Sequence, residues 1–428
     1  MGPRRTRNRS PARGGAGCGK VADRWGATDP ASLLLRRGGR AVPICSLGSR
    51  PGSRSNPPLP TDVLSAMAGR RPSSGDNMLR AAVVGTGAIA ETHLACLATL
   101  PSVEVVGVAD LSQARAEATA DRFAVPRWFA DAQQMLETVR PDVVHVTTSP
   151  NAHFPLAMAA LDAGAHVVVE KPVTPSLAEW EQLRDAAQER QLRLIENQNY
   201  RFSRQVRQVR GLVAAGEFGD VQQVDVRFFQ NLTGEGHPFS DPFLPHPTLR
   251  LPGGPITDFL PHMASLVHSF LGAHSDVDAM WLPGEPTSPI PYVDMVAAVR
   301  AERGLATLSF SGRSGPDGFW IGVYGERAQA RINLYEGRLT IDRVRSGPPP
   351  LRPVANAFGE AKGTAGAALG SLWGKLTSTP GSYEGLWQLL GVFYESLAEG
   401  TESPLSLADI DATTRLVAAL TDTAEARS

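Results

Sequence analysis

From Met78 onward, short apolar runs alternate with amphipathic stretches along the chain. The runs at 80–85, 103–109, 126–129, 142–147, 165–170 and 193–197 predict six strands, and 89–100, 112–123, 153–163 and 177–191 predict helices between them. Strands that are apolar on both faces belong in a parallel sheet covered by helices on each side, because a parallel neighbour requires a crossover. The pattern therefore predicts an α/β, doubly wound nucleotide-binding half.

Beyond about Tyr200 the rhythm changes to a helix at 206–215 and then to longer alternating strands at 221–229, 295–300, 306–311, 319–324 and 328–334. Turns such as Pro316-Asp317-Gly318 suit hairpins, so this half is expected to be α+β with a large open, mainly antiparallel sheet. Helices at 386–397 and 407–423 are expected to close it, and 351–380 offers only a small-residue stretch around Trp373. The implied domains are 1–77, 78–200 and 201–428.

The first 77 residues differ in kind. They carry 14 Lys+Arg against 4 Asp+Glu in a chain whose net charge is -1, and they are rich in Arg, Gly, Pro and Ser. Such a segment buries too little apolar surface to offset its ordering entropy, so a disordered basic tail or an overextended start is expected. Arg4-Arg5 and Arg36-Arg37 raise a nucleic-acid arm or a twin-arginine signal, but no apolar h-region follows the second pair. No run approaches the roughly 18 apolar residues of a membrane span. Cys18, Cys45 and Cys96 have neither framework nor metal spacing, so a cytoplasmic protein without nucleic-acid or membrane partners is expected.

Candidate chemistry begins where the first strand meets the first helix, at Gly85-Thr86-Gly87-Ala88-Ile89-Ala90. Glycines there permit a tight turn and bring backbone N–H groups to a pyrophosphate at the helix N-terminus, the fingerprint of a Rossmann domain. Asp110 ends the second strand, where a carboxylate accepts bonds from a ribose 2′-OH and repels a 2′-phosphate; NAD is expected over NADP, with Leu111 next in line rather than an Arg. Thr148, Pro150, Asn151 and His153 follow the fourth strand, and Glu170-Lys171-Pro172 follows the fifth, both at the carboxyl ends where open sheets bind ligands. A desolvated lysine beside a nicotinamide can hydrogen-bond a substrate hydroxyl; the competing reading is a surface pair with Glu170.

In Gly253-Gly254-Pro255-Ile256-Thr257-Asp258-Phe259-Leu260-Pro261-His262, the i, i+4 spacing puts Asp258 and His262 on one helical face. An acid–base pair results if Asp258 orients the imidazole, and Pro261 is tolerable there only near the helix start. Two other readings stay open: Asp258 as helix N-cap, and a zinc site with His237, His246 or His268.

Taken in order, these motifs resemble the glucose-fructose oxidoreductase, inositol dehydrogenase and rhizopine-catabolism (Gfo/Idh/MocA) family over roughly residues 78–423. The matching elements are Gly85 to Ala90 with His93, Thr148-Pro150-His153, Glu170-Lys171-Pro172 and Gly253 to His262. The resemblance implies an NAD(P)-dependent oxidoreductase acting on a sugar, inositol or related polyol, without a metal and often paired through its open sheet as a homodimer or homotetramer. It implies that Lys171 contacts nicotinamide ribose and substrate, that the Lys171–Pro172 peptide is cis, and that Asp258 and His262 face substrate. Gly85, Gly87, Ala88, Ile89, Asp110, Thr148, Pro150, Asn151, His153, Glu170 and Lys171 would line the cofactor. Asn199, Tyr200 and Arg201 are candidate substrate contacts or domain-joining residues. Ser265 stands where the family commonly has an acidic residue. The same family includes glycosidases without net redox change, and a sensor that lost turnover is a further alternative.

Overall fold

The six apolar runs form strands in the structure, a computed structural model that describes residues 78–234, 247–344 and 383–425, with His237, Phe239 and Ala357 besides. They are β1 (Leu79–Val84), β2 (Val103–Ala109), β3 (Trp128–Phe129), β4 (Val143–Val146), β5 (His166–Val169) and β6 (Leu194–Glu196), all parallel, in the order β3-β2-β1-β4-β5-β6. The order in which successive strands are added to the sheet reverses between β1 and β4, which opens a crevice at their carboxyl ends.

Helices α1 (Ala88–Leu97), α2 (Gln113–Phe123), α3 (Ala132–Val139), α4 (His153–Asp162) and α5 (Leu177–Glu189) make the crossovers. Separate apolar clusters around Val83, Leu94 and Val108 and around Val84, Val144 and Trp180 cover the two faces. Helix α3 was not expected from the sequence, although Asp131 caps it by accepting a bond from the Gln134 N–H at 2.8 Å.

After the short turn Asn199–Phe202 and α6 (Arg204–Ala214), a second sheet forms from β7 (Val221–Phe229), β8 (His274–Pro283), β9 (Tyr292–Ala301), β10 (Gly304–Ser311), β11 (Gly318–Gly325), β12 (Ala328–Asn333) and β13 (Arg338–Arg343). Its order is β13-β12-β11-β7-β10-β9-β8, antiparallel throughout except that β10 runs parallel to β7. The expectation of a hairpin at Pro316-Asp317-Gly318 is therefore corrected. That turn carries the chain over the end of β7, where the Asp317 carboxylate accepts the Asn231 N–H at 3.1 Å.

Between the sheets sits α7 (Pro255–Leu271), packed with its apolar face on the second sheet. Gly254 precedes it at φ 65, and a Cβ there would lie 2.5 Å from Pro291, so only glycine fits. Of the two closing helices, α9 (Leu407–Glu425) packs on α7 and β8, whereas α8 (Glu384–Glu399) joins the core of the first sheet through Leu386, Leu389, Leu390 and Phe393. Residues 1–77 and 351–356 and 358–380, about which the sequence reading makes expectations, lie outside the described residues, as do Cys18, Cys45 and His246.

Candidate active site

The fingerprint forms the turn its glycines require. Gly85 has φ +89, and a Cβ there would come within 2.9 Å of the Thr147 backbone and 2.7 Å of the Thr148 side chain. Thr147, overlooked in the sequence, locks this approach by donating to the Gly85 carbonyl at 2.7 Å. Gly87 caps α1 without a side-chain bond, Ala88 is exposed and Ile89 half-buried, so the first N–H groups of the helix are open to an anion.

Asp110 stands opposite. Its carboxylate accepts the Thr86 N–H and hydroxyl, both at 2.8 Å, and the Ser112 N–H at 2.9 Å. Burial alone would raise its pKa, but these bonds and the nearby Arg115 outweigh it and hold the carboxyl below its usual value. The ring of accepting and donating groups fits a dinucleotide: an open helix end for the pyrophosphate and an ionised acceptor for the ribose. Leu111 is 97% exposed beside it.

Across the crevice, Thr148, Pro150 and Asn151 line the loop after β4, with Asn151 exposed. His153 turns inward instead. Its Nδ1 lies 2.8 Å from the Pro172 carbonyl and its Nε2 3.1 Å from the Thr148 carbonyl, so it bridges the loops after β4 and β5. Burial lowers its pKa. The Lys171–Pro172 peptide is cis.

Lys171 does not pair with the Glu170 side chain. Its Nζ lies 2.8 Å from Asp258 Oδ2 and donates to the Asp258 carbonyl at 3.2 Å, joining the loop after β5 to the first turn of α7. Glu170 is buried and accepts the Asn197 amide at 2.6 Å and the His93 Nε2–H at 2.8 Å.

The expectation that Asp258 orients His262 is thereby corrected: the carboxylate is committed to Lys171. Asp258 is not the helix N-cap either, a position held by Gly254. Pro261 lies well inside α7, not at its start, and removes the bond to the Thr257 carbonyl. His262 is buried one turn beyond Asp258, its Nδ1 has no partner, and the Tyr200 ring meets it edge-on at 4.7 Å. Burial first, then the Lys171 charge, push its pKa down to about 3 against the opposing effect of Glu170.

Aromatic rings close the cleft. Phe259 lies 5.9 Å from Lys171 Nζ, and the Phe228 and Phe310 rings, stacked on each other, meet it at a tilt. Tyr335 bonds to Tyr200, and burial, then the neighbouring Glu170 charge, raise the Tyr383 pKa. Neither Tyr335 nor Tyr383 was singled out in the sequence, where each is a lone tyrosine in a turn. Arg201 is corrected to a joining role: it is buried and bound to Asp409 of α9 at 2.8 Å. Asn199 is buried with its Oδ1 unpartnered and stays a candidate for substrate. His268 bonds Asp409 at 3.1 Å, away from His262, and among the described residues no three metal-ligating side chains converge.

Comparison with known proteins agrees with this geometry. Residues 79–198 match the family model described as an oxidoreductase family, NAD-binding Rossmann fold, and residues 206–331 match the GFO/IDH/MocA C-terminal domain. The chain is 32% identical over 158 residues to inositol 2-dehydrogenase of Salmonella paratyphi B, covering 36% of this chain and 47% of that protein. It is 31% identical over 150 residues to D-glucoside 3-dehydrogenase of Escherichia coli, covering 35% and 43%. The chain thus spans about half the length of these curated relatives. Among solved structures, the WlbA dehydrogenase of Bordetella pertussis in complex with NADH and UDP-GlcNAcA shares the fold, with a TM-score of 0.67 at 19% identity over 83% of this chain and 98% of that one. With its nucleotide-binding and C-terminal halves both matched, the chain belongs to the Gfo/Idh/MocA oxidoreductase family, and residues 79–198 are its NAD-binding Rossmann fold.

Proposed function

We propose that this chain is an NAD-dependent dehydrogenase or reductase acting on a hydroxyl-bearing carbon of a sugar, inositol or related polyol. One observation carries the reading: Lys171 from the first sheet and Asp258 from α7 meet within 2.8 Å at the carboxyl end of β5, with His262 one turn away. A bound nicotinamide supplies the hydride acceptor or donor.

The protein's own groups manage the hydroxyl. The Lys171 ammonium, anchored by Asp258, donates to the substrate oxygen and stabilises negative charge on it. His262 is neutral at pH 7, and since its Nδ1 is shut in, Nε2 is the atom that takes the hydroxyl proton during oxidation and returns it during reduction. The Glu170 anion offsets the imidazolium so formed. Phe259 and Phe228 exclude water, which strengthens each of these interactions. Asn199 is a further contact for a hydroxyl, through its unpartnered amide oxygen.

Sugars, inositols and nucleotide sugars, presented with NAD and with NADP and followed at the nicotinamide absorbance, test the reading. Turnover of at least one polyol with NAD is expected, lost in Lys171→Ala; a panel with no NADH formation or consumption would overturn it. The reading extends to a reducing compartment, supported by Cys96, a buried free thiol whose pKa burial pushes up to about 12. It extends also to a homodimer or homotetramer, supported by Met280, Leu282, Val296 and Leu305 exposed on one face of the second sheet. No helix of the described residues is long and apolar enough to cross a membrane.

A further inference from the structure

Behind the Lys171 loop runs a chain of buried side chains that the mechanism above does not use. Tyr394 on α8, His145 on β4 and His93 on α1 lead to Glu170, and the three are at most 1% exposed. The contacts Tyr394 Oη to His145 Nε2, His145 Nδ1 to His93 Nδ1, and His93 Nε2 to Glu170 Oε1 are each 2.8 Å.

The sense of the chain follows from its end. A carboxylate only accepts, so His93 must carry its proton on Nε2. If His93 is neutral, its Nδ1 accepts from the Nδ1–H of His145, whose Nε2 then accepts the Tyr394 hydroxyl, and every group is satisfied. If His93 is an imidazolium, both links reverse and the Tyr394 hydroxyl hydrogen is left buried without an acceptor, a costly orphan. Burial, then repulsion by a charged His93, also disfavour charge on His145.

We propose that His93, His145 and Tyr394 are positioning residues, a one-way chain of neutral donors that fixes the Glu170 carboxylate and, through it, the Lys171 backbone and Asn197; the proposal rests on the dehydrogenase reading above. Glu170 accepts the Asn197 amide and, at 3.3 Å, the Lys171 N–H, so a carboxylate free to rotate would loosen the residue that holds the substrate oxygen. The titratable groups facing the chain are Cys96 and Asp142, which act on Tyr394, and Lys171, Glu196, His153, Tyr383 and His262, which surround Glu170.

Side-chain ¹⁵N spectra of the histidine-labelled full chain test the proton arrangement without reference to turnover. His93 is expected as the Nε2–H tautomer and His145 as the Nδ1–H tautomer. A doubly protonated His93, or a His145 protonated on Nε2, overturns the proposal. Rates separate positioning from packing. His93→Gln can accept from His145 and donate to Glu170, so kcat is expected within about threefold of wild type, whereas His93→Leu fills the space with neither function and should lose about tenfold to a hundredfold in kcat, with KM for NAD and NADH fluorescence binding unchanged. A Leu variant as active as the Gln variant assigns the site to packing and overturns the proposal. If no polyol turns over, the dehydrogenase reading fails while the tautomer spectra still decide the chain.

Discussion

At the scale of single residues, the site is built by taking polar groups out of water and giving some of them only one partner. Asp258 is 14% exposed in its side chain, and the ammonium of Lys171 is its ion-pair partner. Replacing it by Asn keeps the shape but leaves the lysine without its counter-charge. Asp258→Asn is expected to lower kcat about 10²- to 10⁴-fold, the span of a general acid–base group, while NADH still binds because Asp110 and the glycine turn are untouched. Loss of NADH binding in parallel with kcat would contradict the division of labour. His262 gives a prediction in pH. Its folded pKa of about 3 lies below the unfolded value of 6.5, so the unfolded chain binds the extra proton between them. The stabilisation is full above about pH 6.5 and is lost as pH falls toward 3, by on the order of 4 kcal/mol. Denaturant midpoints of wild type and His262→Gln should therefore converge as pH drops below about 6; parallel curves would refute the assignment.

At the scale of elements, each catalytic side chain depends on how its helix or strand begins. Gly254 sets the entry of α7 at a positive φ, against Pro291. Gly254→Ala would force a Cβ into that ring and into a conformation costing about 1–2 kcal/mol before any clash is counted. We expect Gly254→Ala to lower thermal stability and to reduce turnover more than NADH affinity, since α7 carries Asp258 and His262 but no part of the nucleotide turn. An equal loss of both, measured by fluorescence titration beside initial rates, would show that α7 does not act separately from the first sheet. The same elements show what the sequence discloses. Strands β1, β2, β4 and β5 of the parallel sheet were legible because burial on both faces makes them largely apolar. Strands β8 and β13 were not, because they lie at the two edges of the second sheet and Arg338-Leu339-Thr340-Ile341-Asp342-Arg343 is half-exposed at every position but the buried Thr340. The i, i+4 pairing of Asp258 with His262 was legible as a shared face but misleading as a bond, since nothing local reveals that a lysine 87 residues earlier takes the carboxylate. The link from His145 to Tyr394 spans 249 positions and leaves no trace in spacing.

At the scale of the whole molecule, Asp409 joins parts that the chain order keeps apart. From the N-terminal turn of α9 it binds Arg201, in the turn between the two sheets, at 2.8 Å, and His268, near the end of α7, at 3.1 Å, and accepts the Ser406 hydroxyl at 2.7 Å. Burial would raise its pKa, but His268, Arg201 and Ser406 together hold it far below the usual carboxylate range. A depressed carboxyl stabilises the fold above its unfolded value near 4, and that contribution fades as pH falls below it. Arg201 is buried, with Nε and Nη1 already unpartnered, so Asp409 is what balances its charge. Removing one partner of a buried pair typically costs about 3–5 kcal/mol, because the remaining charge stays out of water. At about 2.1 cal/mol/K of unfolding entropy per residue, each kcal/mol moves the melting temperature of a chain this long by about 1–2 °C, so Asp409→Ala should lower Tm by roughly 3–10 °C at pH 7.5. Arg201→Met with Asp409→Leu, which removes both charges at once, should recover much of that loss, whereas a substrate-binding Arg201 would leave stability intact in Asp409→Ala and abolish turnover in the double variant. Calorimetry of the two variants beside the polyol assay therefore decides whether the turn between the sheets is held by α9 or reserved for a ligand.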